Sequence, residues 1–164
     1  MKASFTGQML LLLDRMKLIN YSKIPEFYKD FKKLLKKFST LEEDFETMKK
    51  SAIEIYHLKN VKTEAVVPIQ GFCSPDYRSM KVRKMACKFL KGKGGRSGLR
   101  VIYVFEQKKK KVTFIGMYYK SEQENENKKR LSAFIDNIKN KTLITYQPLQ
   151  SVVVRNCSLL GRNE

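Results

Sequence analysis

KGKGGRSGLRVIYVF, residues 91–105, sets a glycine-loosened run carrying Lys91, Lys93 and Arg96 directly against LRVIYVF. Apart from Arg100, that second half is apolar on both alternating faces, the pattern of a strand covered on both sides and therefore central in its sheet. Working outward, 79–89 and 112–119 read as its neighbours. The connections, KGKGGRSG and the lysine turn at 107–111, suit hairpins and are too short for crossover helices, so these strands should be antiparallel.

Further upstream, 16–21 (MKLINY) reads as a first strand and Pro25 as the first turn of a helix. Phe27, Phe31, Leu34, Leu35 and Phe38 recur at helical spacing, with Lys36 and Lys37 suited to the negative end of the helix dipole. Thr40-Leu41-Glu42-Glu43 has capping-box spacing, and Leu41, Phe45, Met48, Ala52 and Ile55 continue a second amphipathic helix. Both stripes are read as core. Between this pair and the sheet lies a stretch with Pro68, Gly71 and Pro75, expected to be a loop. Downstream, Ser121-Glu122-Gln123-Glu124 is a second capping box, and Leu131, Phe134, Ile135 and Ile138 give a last helix its buried stripe. The segment 141–164 has no pattern that can be placed, and 1–15 is expected to be a flexible leader. Five apolar residues at 9–13 are too few for a signal-peptide core or a membrane span.

The chain has 164 residues, 18 of them aromatic, and a formal net charge of +18. Such a chain has the length and the apolar content for one domain with a core. Its charge is unevenly placed. Between Arg78 and Lys120 fourteen cations stand against Glu106 alone, whereas between Glu26 and Lys59 eight lysines meet seven acids. Positive charge gathered in one region either repels itself or meets a polyanion, of which nucleic acid is the commonest. Cys73, Cys87 and Cys157 form an odd set without C-x-x-C spacing, which points neither to a disulfide framework nor to zinc and fits a reducing, cytoplasmic location.

Several chemistries are excluded by register. A G-x-G-x-x-G match from Gly92 would need glycine at 97, where Ser97 stands, and no G-K-[ST] follows. A two-metal nuclease needs converging carboxylates, and the basic region has only Glu106, so no metal and no cofactor is expected. His57, the single histidine, falls late in the second helix and is expected at the surface or in a cap. What remains is phosphate chemistry run by cations and tyrosines. In RNA the 2′-hydroxyl can attack its own 3′-phosphate, leaving the protein to orient the strand, stabilise added negative charge and move protons. Arginine suits the second task, lysines crowded by other cations suit the third, and Tyr103, Tyr118 and Tyr119 could stack on splayed bases or be ordinary strand aromatics.

Four pieces in this order resemble the RelE/ParE toxin superfamily, above all its HigB-like and RelE-like messenger-RNA interferases. They are Ser97-Gly98-Leu99-Arg100-Val101-Ile102-Tyr103, Tyr118-Tyr119-Lys120-Ser121-Glu122, Lys81-Val82-Arg83 and the turn Pro68-Ile69-Gln70-Gly71, and the likeness covers about 16–140. The resemblance implies an α+β fold, β-α-α-β-β-β-α, whose antiparallel sheet carries its helices on one face and a concave basic surface for the messenger in the ribosomal A site. It further implies a type II toxin that cleaves mRNA without metal and is neutralised by a cognate antitoxin, with oligomers formed through the antitoxin complex. By the same resemblance Arg100 would stabilise the phosphorane, Lys120 would be the late-strand cation, and Lys81 with Arg83 would bind phosphate or transfer protons. Tyr119 would orient a base, and Lys91, Lys93 and Arg96 would hold ribosomal RNA. Lys84 and Lys88 compete with Lys81 and Arg83, and Tyr118 competes with Tyr119. A ParE-like inhibitor of DNA gyrase and an RNA-binding module without catalysis are the alternatives.

Overall fold

The computed structural model of the chain describes residues 19–91 and 94–145, the last four by backbone only. The expectations placed on 1–15, on Lys93 and on the segment beyond 145 lie outside the described residues. The chain order is a strand Asn20–Lys23 (β1), a helix Pro25–Leu35 (α1) and a second helix Leu41–Met48 (α2). Helix α2 runs on through a π-helical segment Lys49–Glu54 into a final turn Ile55–Leu58 (α3). Strands Val66–Cys73 (β2), Tyr77–Val82 (β3), Leu99–Glu106 (β4) and Lys111–Tyr119 (β5) follow, then a helix Lys128–Thr145 (α4). The five strands form one sheet in the order β1-β5-β4-β3-β2.

LRVIYVF is central, as its composition demands: β4 lies between β5 and β3, and every residue from Val101 to Glu106 is buried. Its alternation feeds two cores. Leu99, Val101, Tyr103 and Phe105 face α1 and α2, where Phe27, Leu34, Phe45 and Met48 meet Phe114, and the rings of Phe45 and Phe114 lie 4.9 Å apart. Ile102 and Val104 face the other way, onto Leu131 and Ile135 of α4 together with Ile69, Tyr77, Ile115 and Tyr118. The helices therefore cover both faces and not one. The reason lies in β4 itself, whose outward-alternating residues are as apolar as the inward ones and need a cover.

Other expectations need correction. β1 pairs with β5 in parallel, Ser22 opposite Thr113, so the sheet is mixed. The expected loop with Pro68 and Gly71 contains β2, which pairs with β3 alone and is thus an edge strand. Proline is tolerated there because an edge leaves one row of N–H groups without a strand partner. Gly71, at φ +79°, sits inside the register shift between Pro68 and Cys73, where β2 runs three residues longer than β3 and bends. The strand expected over 79–89 ends at Val82. Beyond it Met85 and Cys87 stay buried in alternation, which imitates a strand, but the Lys88 N–H goes to the Asp44 carboxylate (3.0 Å) and the Phe89 N–H to the Thr40 hydroxyl (3.0 Å). The last helix begins at Lys128 and not at Ser121, its cap being Asn127, whose side-chain oxygen accepts the Arg130 N–H at 3.0 Å. It runs through Thr145, so a boundary at 140 falls inside it.

Since β1 stops at Lys23, opposite Phe114, the rest of β5 has no strand on that side among the described residues. There β5 bulges, Ile115 being the extra residue between the pairs Ile102–Gly116 and Tyr103–Phe114. Asp30 of α1 covers this bare edge: its carboxylate accepts the Met117 N–H (3.4 Å) and the Arg130 guanidinium of α4 (2.5 Å), while Arg130 also donates to the Ile115 carbonyl (3.3 Å). A Cβ on Gly116 would stand 3.2 Å from that guanidinium, so glycine keeps the ion pair seated.

Candidate nucleic-acid interface

Antiparallel pairing brings three strand ends to one end of the sheet: the C-terminal ends of β3 and β5 and the N-terminal end of β4. Lys81 stands opposite Ile102, and Arg100 opposite Tyr118. Lys81, Arg100 and Tyr118 therefore point to the same face, the one on which α4 packs. Directly opposed residues have Cβ atoms about 5 Å apart and diagonal ones about 7–8 Å, so one guanidinium, one ammonium and one phenol converge within the reach of a single phosphate group. Arg100 donates to its neighbour's carbonyl, Leu99 O, at 3.0 Å and remains partly exposed. Lys120 follows directly on β5 with its side chain exposed, its backbone N–H tied to Gly98 O at 2.9 Å. Arg83, also exposed, follows directly on β3, with its N–H on Ala65 O at 2.7 Å.

A sixth member was not legible in the sequence. Glu126, in the connection between β5 and α4, places its carboxylate 2.6 Å from the Lys81 ammonium, with only 8% of its side chain exposed. It also stands close enough to the Tyr118 phenol to act on it electrostatically. Burial alone would raise the Glu126 carboxyl, but the Lys81 hydrogen bond, the backbone amide and the nearby ammonium charges outweigh it and hold the group below the usual carboxylate range. Tyr118 moves the other way: burial first, then the Glu126 charge, raise its phenol, against the pull of Arg100. The face thus holds a carboxylate, where a patch free of acids was expected. Its only sequence signal is an acidic stretch at 122–126, which reads as a helix start.

The remaining candidates are placed elsewhere. Tyr119 lies on the opposite face, edge-on to Phe38 at 5.3 Å and beneath Gly98, whose added Cβ would come within 2.9 Å of its ring. Gly98 is at φ +85°, so Ser97-Gly98 serves a tight approach to Tyr119 as well as the turn. Tyr103 corrects the expectation of a stacking platform: it is wholly buried on the α1–α2 side and offers no ring face to a base. Its hydroxyl is 2.9 Å from His57 Nε2, and the His57 ring stacks on Phe105 at 3.9 Å between centroids. His57 is therefore half-buried in the last helical turn, with one side of its ring held by aromatic partners. Burial, with Arg78 adding to it, pushes its pKa down to about 4.

Lys84 pairs with Glu64 at 2.5 Å and Lys88 with Glu43 at 2.9 Å, both on exposed surface. Glu64 is lowered chiefly by the Lys84 hydrogen bond, and Lys88 is raised chiefly by Glu43. Neither lysine stands beside Lys81 on the second face. Lys91 and Arg96 are exposed along the connection into β4, Arg96 closing a 3-10 turn Gly94–Arg96. That connection is anchored by Ser97, whose buried hydroxyl donates to Met85 O (2.5 Å) and accepts the Leu99 N–H (3.2 Å). None of the helices within the described residues is long and apolar enough to cross a membrane.

No family model matches the sequence, and no curated protein matches it. Among solved structures, the isolated E. coli RelE toxin in its P21 crystal form aligns with 74% of this chain and 99% of its own, at 21% sequence identity and a TM-score of 0.37.

Proposed function

We propose that this protein is an endoribonuclease toxin of a type II toxin–antitoxin pair, cleaving messenger RNA on the ribosome without metal. The observation that carries the reading is the cross-strand convergence of Lys81, Arg100 and Tyr118 on one face, bordered by Arg83 and Lys120 at the same end of the sheet. Three of the four pieces that resemble the RelE-like interferases lie at these strand ends, while Pro68–Gly71 lies within β2. The 2′-oxygen attacks phosphorus as its proton leaves, the bond to the 5′-oxygen breaks, and that oxygen takes up a proton. Arg100, always charged, holds the nonbridging oxygens as negative charge builds. Lys81 and Lys120 serve the proton transfers, which an arginine cannot. Arg83, Lys91 and Arg96 lie along the path of the backbone and fix its register without reading sequence. The cognate antitoxin covers this same basic face.

The test is cleavage of a defined messenger by purified protein in the presence of ribosomes. Arg100→Ala is expected to lower the rate by about 10²- to 10³-fold, the loss typical of one transition-state donor, and Lys120→Ala by at least ten-fold. Wild-type protein that leaves the messenger intact, or variants that cut at the wild-type rate, would refute the proposal.

A further inference from the structure

Glu126 is the acidic side chain paired with Lys81 at the cationic end of the sheet, whereas Glu64 at the same end pairs with Lys84 on exposed surface, and Glu126 sits where an RNA phosphate has to go. Its oxygen lies 2.6 Å from Lys81 Nζ and its charge acts on the neighbouring Tyr118 phenol, while Arg100 stands across the strand pair from Tyr118. A carboxylate and a phosphodiester present the same chemistry to these groups, a single negative charge spread over two oxygens. Lys81 is only 22% exposed, so it has little room for a second anion while Glu126 is in place.

The connection that carries Glu126, residues 120–127, is a surface loop. Residues 120–125 are exposed, and the connection contains no strand or helix. Its ties to the rest of the molecule are the Lys120 N–H to Gly98 O, the Glu122 and Gln123 N–H groups to Tyr119 O, the Glu122 carboxylate to Lys37 and Lys33 of α1 and its end, and Glu126 to Lys81. The Glu122 pairs are on exposed surface, where ion pairs hold little. The contact of Glu126 is the sheltered one and fixes the segment over the face.

We propose that Glu126 is a resident phosphate mimic: in the RNA-free protein it fills the anion position formed by Lys81, Tyr118 and Arg100, and a single-stranded RNA phosphate binds by displacing it. This rests on the reading of that face as an RNA site, but not on cleavage there. The device keeps Lys81 oriented while making small anions poor ligands, since only a strand that also engages Arg83, Lys120 and Arg96 gains enough to expel the carboxylate.

The test measures binding of a short fluorescent RNA, 2′-O-methylated throughout so that it cannot be cleaved, to the full chain and to Glu126→Gln, Glu122→Gln, Lys81→Gln and Arg100→Gln. Glu122→Gln changes net charge by the same amount away from the face and sets the long-range contribution, expected below two-fold. Glu126→Gln should bind about ten-fold tighter than the wild type, a difference near 1.4 kcal/mol, and Lys81→Gln should bind more weakly. The combination Glu126→Gln with Lys81→Gln should lose the gain, because no ammonium is left to liberate. Thermal unfolding of each variant establishes that it is folded. Equal or weaker binding by Glu126→Gln than by Glu122→Gln, with Lys81→Gln still impaired, overturns the mimic and leaves the RNA site standing. Binding insensitive to Lys81 and Arg100 alike overturns both.

Discussion

At the scale of single residues, His57 shows how a side chain with no catalytic task still sets a solution property. It is held between Phe105 and the Tyr103 hydroxyl, with its pKa near 4. An unfolded chain carries histidine near 6.5, so between those values the unfolded state takes up a proton that the folded state refuses. Stability is therefore full above about pH 6.5 and falls as pH drops toward 4. Urea unfolding at pH 7.5 and pH 5 should show that loss in the wild type. Replacing His57→Phe, which keeps the stack on Phe105 and removes the titration, should flatten the profile over this window. The lowered carboxyls Glu64, Glu122 and Glu126 act below it, as pH falls beneath the ordinary glutamate range. Single residues were also where sequence reading reached its limit. Tyr118 and Tyr119 are adjacent, identical and both aromatic in a strand, and only alternation about a bulge, invisible without the fold, sends one to the cationic face and the other beneath Gly98. Glu126 was missed for a related reason: its partner Lys81 is 45 residues away, and no local pattern reports a pair of that separation.

At the scale of elements, β4, the first two helices and the hairpin order were legible because each is declared by its own periodicity. The short pieces were not. β2 contains a proline and a glycine, both ordinarily punctuation, and is a strand only because β3 pairs with it at an edge. The stretch after β3 alternates buried and exposed residues without being a strand, since its amides are taken by Thr40 and Asp44. The far end of β5 shows what an unpaired edge requires. Asp30 occupies it and ties α1 and α4 to the same strand. Substituting Asp30→Ala leaves the Met117 N–H and the Arg130 guanidinium without that acceptor, and should lower unfolding free energy by about 1–3 kcal/mol. Amide exchange should locate the change, with Met117 and its β5 neighbours opening faster while β3 stays protected. An unchanged Met117 amide would show that the carboxylate does not guard the edge.

Over the whole molecule, charge and topology act together. The cations near Lys81, Arg100 and Lys120 gather because three strands terminate together, and helices could not have delivered them from so many separate parts of the chain to one end. If Arg83, Arg96, Arg100, Lys81 and Lys120 each neutralise one phosphate of a single strand, log affinity should fall with log salt at a slope of about 3.5, and Arg100→Ala should reduce that slope by about 0.7. A slope below about 1 would mean that most of these groups never meet the backbone. The parallel contact of β1 with β5 carries one more consequence. Ser22 and Thr113 share a hydrogen bond across 91 residues of chain, and pairings of such separation form late because so much backbone must be closed first. During synthesis the first strand waits for the last one to emerge. A nascent polypeptide halted anywhere before β5 would own neither a finished sheet nor the Tyr118–Lys120 rim, so the cationic end and the strand pair that closes the sheet arrive together.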